Sequence, residues 1–311
     1  MKAAILVDAN RFELQDIPVP AIKPSQVLVK VGACTVCATD IKIYKGIREY
    51  KKPTRMGHEI TGTIAEVGSD VKDFRKGDRI LSRIVWGGFA ECVEAEARNL
   101  VKLPDSIGFE EGAIAQLLPI AVNGTEISVK KGDTVFISGM GPAGLLCLQT
   151  AKAYGASKLI VSDLFDKKLQ LAKTLGADVC INAQEEVAAR VRKETGAGAD
   201  VTMECVGVEK SFRVCEEAVR PGGIISIFGS HLTPVAIDLL KWEGRSLRMN
   251  IMREQPADTP RLLRRSVELV VSGQVQLRPL LTRVMKLDQI TEAFEYNICH
   301  AEDVIKISIV P

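Results

Sequence analysis

The pattern of hydrophobic and polar positions divides the chain into three zones. Up to about residue 118, short apolar runs such as Gln26–Val31 and Gly62–Val67 are separated by turns rich in Pro and Gly, which predicts a β-rich domain. From 119 to 251, β-type runs alternate with stretches of helical spacing. The strands predicted in this second zone are Thr134–Ser138, Leu159–Ser162, Val179–Asn182, Val201–Glu204, Ile224–Phe228 and Leu247–Ile251. Such alternation is typical of βαβ units, and it predicts an α/β fold with a doubly wound parallel sheet.

The third zone, from 252 to 311, contains too few elements for a domain of its own. A helix is expected over Thr259–Ser272 and a strand over Val304–Val310. We therefore expect this tail to pack on the first zone. The predicted domains are residues 1–118 together with 252–311, and residues 119–251.

Composition and charge exclude several classes of protein. The 311 residues are 46% hydrophobic and 26% charged, which is enough apolar material for two folded domains. A net charge of +2 offers no electrostatic footprint for a nucleic acid. The apolar run Ala3–Val7 is broken by Asp8, and the run from 135 to 153 is broken by several glycines, so neither a secretory signal nor a membrane span is expected. Eight cysteines without such a signal are typical of reduced thiols in a cytoplasmic protein.

A glycine-rich turn follows the first strand of the second zone. Its G-x-G-x-x-G spacing is formed by Gly139, Met140, Gly141, Pro142, Ala143 and Gly144. The turn lies between a predicted strand and a predicted helix, which is the context that a dinucleotide-binding turn requires. Gly139 permits the tight turn, Gly141 lets the backbone approach a pyrophosphate, and Gly144 allows the helix to pack closely on the strand. The helix N-terminus also offers free N–H groups to the phosphates, so a dinucleotide site is predicted here.

An acidic residue ends the second strand of this zone. Asp163 lies 19 residues after Gly144, where a carboxylate accepts hydrogen bonds from the ribose hydroxyls and repels a 2′-phosphate. This favours NAD over NADP as the cofactor. Lys167 and Lys168 lie nearby and could tolerate a phosphate, and the alternative for Asp163 is the capping of a turn.

Three side chains of the first zone could ligate a metal ion. Cys37 and His58 lie 21 residues apart, which does not fit a local zinc finger and suits a site assembled from separate loops with an open position, as in catalytic zinc sites. Glu59 follows His58 directly. Thiolate, imidazole and carboxylate together suit Zn²⁺. Taken one at a time, a buried thiol and a core histidine are the simpler interpretations.

Four motifs of the first zone occur in a fixed order along the chain. They are Cys37-x-Thr39-Asp40, Gly57-His58-Glu59-x-x-Gly62-x₅-Gly68-x-x-Val71, Lys76-Gly77-Asp78-Arg79 and Gly87-Gly88-Phe89-Ala90-Glu91. Together they resemble the zinc-containing alcohol dehydrogenases of the medium-chain dehydrogenase/reductase superfamily, in the sorbitol/polyol or threonine dehydrogenase branch. The resemblance covers nearly the whole chain. It implies a GroES-like β-rich catalytic domain, a Rossmann domain for the cofactor and a tail that returns to the catalytic domain.

The resemblance also implies a role for each residue of the predicted site. Cys37 and His58 would ligate a catalytic zinc, and Glu59 would be a direct or exchangeable ligand. Thr39 would pass the alcohol proton toward solvent, and Asp40 would hold the His58 ring by a hydrogen bond. Contacts to the nicotinamide are implied after two strand ends, at Val206, Phe228 and Gly229.

Departures from the family bear on the metal and on the cofactor. In the family, a lobe with four cysteines usually holds a second, structural zinc. Here only Ile80–Trp86 separates Gly77-Asp78-Arg79 from Gly87–Glu91, so this lobe is absent. One catalytic zinc without a structural zinc is therefore predicted. Gln116 stands where the branch has a glutamate, and its neutral amide oxygen would reach zinc or a zinc-bound water. Lys306 resembles the family's basic residue near the cofactor phosphates, and an ordinary surface lysine is the alternative.

The predicted function is a zinc-dependent hydride transfer between NAD(H) and a secondary alcohol, polyol or sugar-derived alcohol and its ketone. The alternatives are a zinc-free quinone or enone reductase of the same superfamily and a non-catalytic NAD(P)H-binding protein. The expected partner is a small molecule rather than a nucleic acid or a membrane, and a homodimer or homotetramer is expected. A sugar phosphate would require a basic pocket, for which the sequence offers Arg83 and Arg253.

Overall fold

The computed structural model describes residues 1–83 and 85–311. Its strands are β1 (Lys2–Asp8), β2 (Arg11–Asp16), β3 (Gln26–Thr35), β4 (Thr54–Arg55), β5 (Glu59–Val67), β6 (Arg79–Ser82), β7 (Cys92–Glu96), β8 (Leu100–Lys102), β9 (Thr134–Ser138), β10 (Lys158–Asp163), β11 (Val179–Asn182), β12 (Ala199–Glu204), β13 (Val219–Ile227), β14 (Arg248–Ile251), β15 (Leu281–Lys286) and β16 (Lys306–Val310). Its helices are α1 (Ala38–Tyr44), α2 (Phe109–Gly112), α3 (Leu118–Ser128), α4 (Pro142–Ala153), α5 (Asp166–Thr174), α6 (Val187–Thr195), α7 (Glu209–Ala218), α8 (Leu239–Arg245), α9 (Thr259–Val271) and α10 (Ile290–Cys299). Short 3₁₀ turns lie at Ala97–Asn99, Ala113–Leu117, Arg278–Leu280 and Leu287–Gln289.

The chain folds into two compact units. The first comprises Met1–Gln116, Pro256–Val271 and Leu277–Pro311, and the second comprises Leu117–Gln255 and Ser272–Gln276. The short segment Ser272–Gln276, which the sequence assigns to the tail, lies with the second unit. Gln149 of α4 holds it there, because its side chain accepts a hydrogen bond from the Gln276 N–H at 2.7 Å.

The first unit is built on an open β-sheet that the tail completes. The strand order is β15-β16-β3-β5-β6-β8, with β7 also paired to β3, and β2-β1-β4 forms a separate three-stranded sheet. Strand β16 pairs antiparallel with β3. One apolar cluster joins the two parts of this unit, since Val29 of β3, Ile60 of β5, Phe294 of α10 and Ile307 of β16 are all buried in it. The tail contains α10 and β15 in addition to the helix and strand that the sequence predicts.

The second unit contains a six-stranded parallel sheet. The strand order is β11-β10-β9-β12-β13-β14, and every neighbouring pair is parallel. Strands β10 and β11 lie on one side of β9, and β12 to β14 lie on the other, as in a doubly wound sheet. This order confirms the predicted fold class. Five predicted strands agree with the structure within two residues, whereas β13 begins at Val219 rather than Ile224. Gly222 and Gly223 predict a turn, but they lie in an irregular stretch of β13 where Val219 pairs with Ala199.

Of the helices that the structure describes, none combines the length and the apolar character needed to cross a bilayer.

Candidate functional site

The three predicted metal ligands lie together in the first unit. Strands β3 and β5 pair antiparallel with Thr35 opposite Glu59, and this register brings the residues just after β3 next to those at the start of β5. Cys37 therefore lies beside His58 and Glu59. One ligand atom from each residue lies within 4.8 Å of the other two, so the cluster has the dimensions of a metal-binding site.

Asp40 contacts two of the predicted ligands, Cys37 and His58. It is fully buried, and its Oδ2 accepts a hydrogen bond from the Cys37 backbone N–H at 2.9 Å, which fixes the start of α1. Its Oδ1 lies 3.4 Å from the His58 Nδ1. Burial lowers the pKa of His58, but the Asp40 carboxylate and the Cys37 sulfur outweigh it and raise that pKa well above its ordinary value. The second nitrogen of the ring is left for a ligand, as in a carboxylate–histidine–metal arrangement.

The chemistry of this cluster fits zinc. A thiolate, an imidazole and a carboxylate are a donor set that Zn²⁺ prefers, and they provide three protein ligands as catalytic zinc sites do. Gln116 is 1% exposed, and its Oε1 has no hydrogen-bond partner among the described residues. A buried amide oxygen without a partner costs free energy unless a cation or a water satisfies it.

Lys306 also belongs to this site, since it contacts Glu59. The sequence predicts only a basic residue near the cofactor phosphates or, alternatively, a surface lysine. The Lys306 side chain is 2% exposed, so the surface alternative is wrong. The Lys306 ammonium donates hydrogen bonds to Glu59 Oε1 at 2.7 Å and to the Val36 carbonyl at 3.1 Å. Burial lowers the pKa of Lys306, but the Glu59 carboxylate and the Cys37 sulfur raise it above its ordinary value. The signal in the sequence is a single lysine inside the apolar strand of residues 304–310, which requires a buried acidic partner.

Thr39 is close to the cluster along the chain, and Trp86 contacts the cluster in space. Thr39 is in the first turn of α1, two residues after Cys37, and it is half-buried. The Trp86 ring packs against the His58 ring with 4.6 Å between the centroids. Trp86 is the last residue of the short Ile80–Trp86 segment, and the sequence alone does not place it near the metal ligands.

The glycine-rich turn of the second unit has the geometry that its sequence predicts. Gly139 has φ of +94°, which favours glycine. A Cβ at Gly144 would lie 1.7 Å from the Gly139 carbonyl oxygen, whereas a Cβ at Gly141 would meet nothing within 4 Å. Gly144 is therefore required by packing, and the space beside Gly141 is open to a ligand. Helix α4 begins at Pro142, and the N–H groups of the first turn, which includes Ala143, have no acceptor within a helix.

Asp163 lies at the end of β10 and faces this turn. Its Oδ2 accepts a hydrogen bond from the Met140 N–H at 2.7 Å, and its Oδ1 accepts one from the Phe165 N–H at 3.0 Å. The carboxylate thus orders the glycine-rich turn and caps its own turn, and each oxygen has a further lone pair for a ribose hydroxyl. Lys168 is half-buried nearby, and burial lowers its pKa in spite of the opposing charge of Asp163.

The residues assigned to the nicotinamide follow two neighbouring parallel strands. Val206 comes after β12 and is 46% exposed, and Phe228 and Gly229 come after β13. The buried Glu204 holds these loops together. Its Oε1 accepts hydrogen bonds from Val206 N–H and Gly207 N–H at 2.8 Å, and its backbone carbonyl accepts them from Phe228 N–H and Gly229 N–H. Sequence reasoning missed this carboxylate, although a glutamate at the end of an apolar strand is a signal for a buried acceptor role.

Comparison with known proteins identifies the class. The model of the alcohol dehydrogenase GroES-like domain matches residues 23–120, and that of the zinc-binding dehydrogenase domain matches residues 142–268. Sorbitol dehydrogenase from Gallus gallus is 28% identical, over 94% of this chain and 92% of the relative. The apo form of zinc dependent alcohol dehydrogenase 2 from Streptococcus pneumonia is 30% identical, with a TM-score of 0.89 over 100% of this chain and 98% of that chain. A putative zinc-binding dehydrogenase from Sinorhizobium meliloti 1021, bound to NADP, is 26% identical, with a TM-score of 0.89 over 100% and 99%.

The chain belongs to the zinc-type alcohol and polyol dehydrogenases of the medium-chain dehydrogenase/reductase superfamily. It is an oxidoreductase, and its match to zinc-binding dehydrogenases, one of them solved with NADP, supports zinc and NAD(P) as its ligands. The resemblance read from the sequence is thereby confirmed. The zinc-free reductase and the non-catalytic binding protein are not favoured.

Proposed function

We propose that this protein is a zinc-dependent dehydrogenase that transfers a hydride between NAD(H) and a secondary alcohol or polyol and its ketone. The observation that carries the proposal is the cluster of Cys37, His58 and Glu59, whose ligand atoms lie within 4.8 Å of one another. The names of the relatives, which include sorbitol and alcohol dehydrogenases, support a hydroxyl-bearing substrate.

In this proposal Cys37 and His58 hold the zinc, and Glu59 and Gln116 complete or exchange in its coordination. When bound there, the zinc supplies a Lewis acid that polarises the oxygen of the alcohol or the carbonyl. The Asp40 carboxylate, whose Oδ1 lies 3.4 Å from the His58 Nδ1, would orient the ring. Gln116 contributes no charge, so the site is one unit more positive than it would be with a glutamate there, which favours an anionic oxygen on the substrate.

Thr39 is proposed as the residue that moves the proton. Its hydroxyl lies in the first turn of α1, two residues after Cys37, and a hydroxyl can accept one proton while it donates another. Oxidation would then require the substrate hydroxyl to pass its proton to the Thr39 oxygen while the Thr39 hydroxyl passes its own proton toward solvent. The carbinol carbon would give up a hydride, which NAD would accept when bound. Thr39 is only half-buried, which supports release of the proton toward solvent.

NAD is proposed as the preferred cofactor. The carboxylate of Asp163 would accept hydrogen bonds from the two ribose hydroxyls and would repel a 2′-phosphate. The pyrophosphate would lie beside Gly141, where the backbone is open, and against the first turn of α4. Lys168 is close enough to Asp163 to moderate this preference, and Val206, Phe228 and Gly229 would contact the nicotinamide with backbone groups.

We further propose one zinc per chain and a homodimer or homotetramer. The connector Ile80–Trp86 leaves no room for a cysteine quartet, which supports a single catalytic metal. Strand β14 forms an edge of the parallel sheet and exposes Met249 and Ile251 at 45% and 52%, which supports pairing with a second copy. Size-exclusion chromatography with light scattering tests the oligomer.

Elemental analysis of protein purified without added metal or chelator tests the zinc site. One zinc per chain, together with NAD-coupled turnover in a screen of polyols and secondary alcohols, is the expected result. A protein without zinc and without such turnover would contradict the proposal.

A further inference from the structure

The segment that lies between the predicted ligands Cys37 and His58 in the sequence is strongly basic. Residues 42–55 carry six cations and one anion, whereas the whole chain has a net charge of only +2. The segment begins five residues after Cys37 and ends three residues before His58. Much of the positive charge of the first unit is therefore concentrated in the sequence between the two predicted ligands.

A surface pocket of about 490 Å³ lies within this segment, and its lining residues are Gly46, Arg48, Glu49, Tyr50, Lys51 and Lys52. Lys52 is paired with Asp8, with 3.6 Å between Nζ and Oδ1. Arg48 and Lys51 are exposed and form no ion pair with any described residue. Even with Glu49 counted against them, the pocket presents an excess of positive charge.

An aromatic stack connects this pocket to the metal cluster. Tyr50, which lines the pocket, stacks on Trp86 with 5.7 Å between the ring centroids and 24° between the planes. Trp86 in turn packs on His58. Both aromatic side chains keep about two fifths of their surface exposed, Tyr50 at 41% and Trp86 at 39%. Trp86 is one ring contact from the metal ligand His58 and Tyr50 is two, and their exposed surface is one on which the C–H groups of a carbon chain can pack.

We propose that the substrate is a phosphorylated polyol, whose phosphate binds Arg48 and Lys51 while its carbon chain packs on Tyr50 and Trp86. This inference rests on the proposed function, because it places the hydroxyl end of the same molecule beside His58. Two cations without partners favour a dianion over a monoanion, and the fork of an arginine fits phosphate oxygens in a bidentate geometry. A neutral polyol leaves these charges unused.

Neither of the two arginines that the sequence offers for a phosphate belongs to this pocket. Arg83 lies just after β6, and Arg253 lies in the second unit. The cations of the pocket come instead from the turn after α1, where the Arg48 N–H and the Ile47 N–H both donate to the Lys42 carbonyl.

Steady-state kinetics of the zinc-loaded protein with NAD test the inference on matched pairs. Sorbitol, mannitol, galactitol and ribitol are each compared with their terminal phosphomonoesters, and gluconate serves as the carboxylate arm. For at least one pair we expect kcat/KM to be about tenfold higher for the phosphate, which corresponds to about 1.4 kcal/mol. This advantage should shrink at high salt, since the Debye length is about 8 Å at physiological ionic strength.

The variant Arg48→Gln/Lys51→Gln should lower kcat/KM about tenfold for the phosphate and less than twofold for the neutral polyol. The control Lys193→Gln/Lys210→Gln removes the same charge from exposed helix positions of the second unit, and it should change neither value. Equal turnover of both members of every pair, a preference for gluconate, or an equal effect of the first variant on both substrates would overturn the inference while leaving the dehydrogenase function intact.

Turnover of no alcohol at all would instead contradict the proposed function. Isothermal titration calorimetry with ribitol 5-phosphate then tests separately whether the pocket binds a phosphorylated polyol. Binding that the Arg48→Gln/Lys51→Gln variant abolishes would support it, and no binding to the unmodified protein would overturn it.

Discussion

The buried ion pair between Lys306 and Glu59 leads to a quantitative prediction. The two side chains are 2% and 0% exposed, so each charge depends on the other for compensation. Replacement of Lys306 by Met preserves the volume and leaves the Glu59 carboxylate buried without its cation. Loss of one partner of a buried pair costs about 3–5 kcal/mol. Relative to a total stability of about 5–15 kcal/mol, this is a large fraction.

The assay is unfolding of the metal-free protein, followed by circular dichroism in denaturant and by calorimetry. We expect Lys306→Met to lower the free energy of unfolding by about 3–5 kcal/mol and the melting temperature of this unit by roughly 10 °C. The variant Glu59→Gln should also destabilise, since it leaves a buried ammonium. The double variant should lose less than the sum of the two, because it removes both charges.

Zinc provides a second measurement on the same variants. In Lys306→Met the metal is the remaining source of positive charge for Glu59, so zinc should stabilise this variant more than it stabilises the unmodified protein. The reasoning would be refuted if Lys306→Met cost less than about 1 kcal/mol, below the range for breaking a buried pair. Strict additivity in the double variant would refute it equally.

Three further predictions concern the metal and the cofactor. Cys37→Ala should lose zinc and lower kcat about a thousandfold or more while NADH still binds. The control Cys299→Ala, at an exposed thiol, should retain both zinc and turnover. Metal analysis measures the zinc content, and fluorescence titration measures NADH binding. Asp163→Ala should raise the KM for NAD about tenfold and weaken discrimination against NADP, and an unchanged cofactor ratio would contradict its ribose role. Gly144→Ala should abolish NADH binding and destabilise by about 3 kcal/mol or more, because its Cβ would meet the Gly139 carbonyl; native-like melting and binding would exclude that clash.

The second unit was predictable from the sequence because its signals are local. The glycine spacing of 139–144 lies directly between β9 and α4, and each βα unit carries its own apolar period. The irregular start of β13 was not predictable, since Gly222 and Gly223 have the composition of a turn. Their place in the strand is decided by pairing with β12.

The first unit was predictable in its motifs and not in its long-range contacts. Cys37, His58 and Glu59 form a recognisable set, and the pairing of β3 with β5 explains why they meet. Lys306 reaches Glu59 across 247 positions of the chain, and no periodicity reports such a contact. Trp86 could not be placed either, because its ring contact with His58 joins positions far apart in the chain and no local pattern reports it.

Strand β16 has a consequence for the order in which the protein is completed on the ribosome. The second unit is almost continuous in sequence, so it can form its sheet while the tail is still being synthesised. Strand β3, in contrast, lacks its β16 neighbour, and Glu59 lacks its cation, until Lys306 has left the exit tunnel. The buried pair of Glu59 and Lys306 can therefore form only after the tail has been synthesised. We expect a nascent chain halted before β16 to hold a folded cofactor unit and an open, protease-sensitive catalytic unit, in which metal capture is among the last steps of assembly.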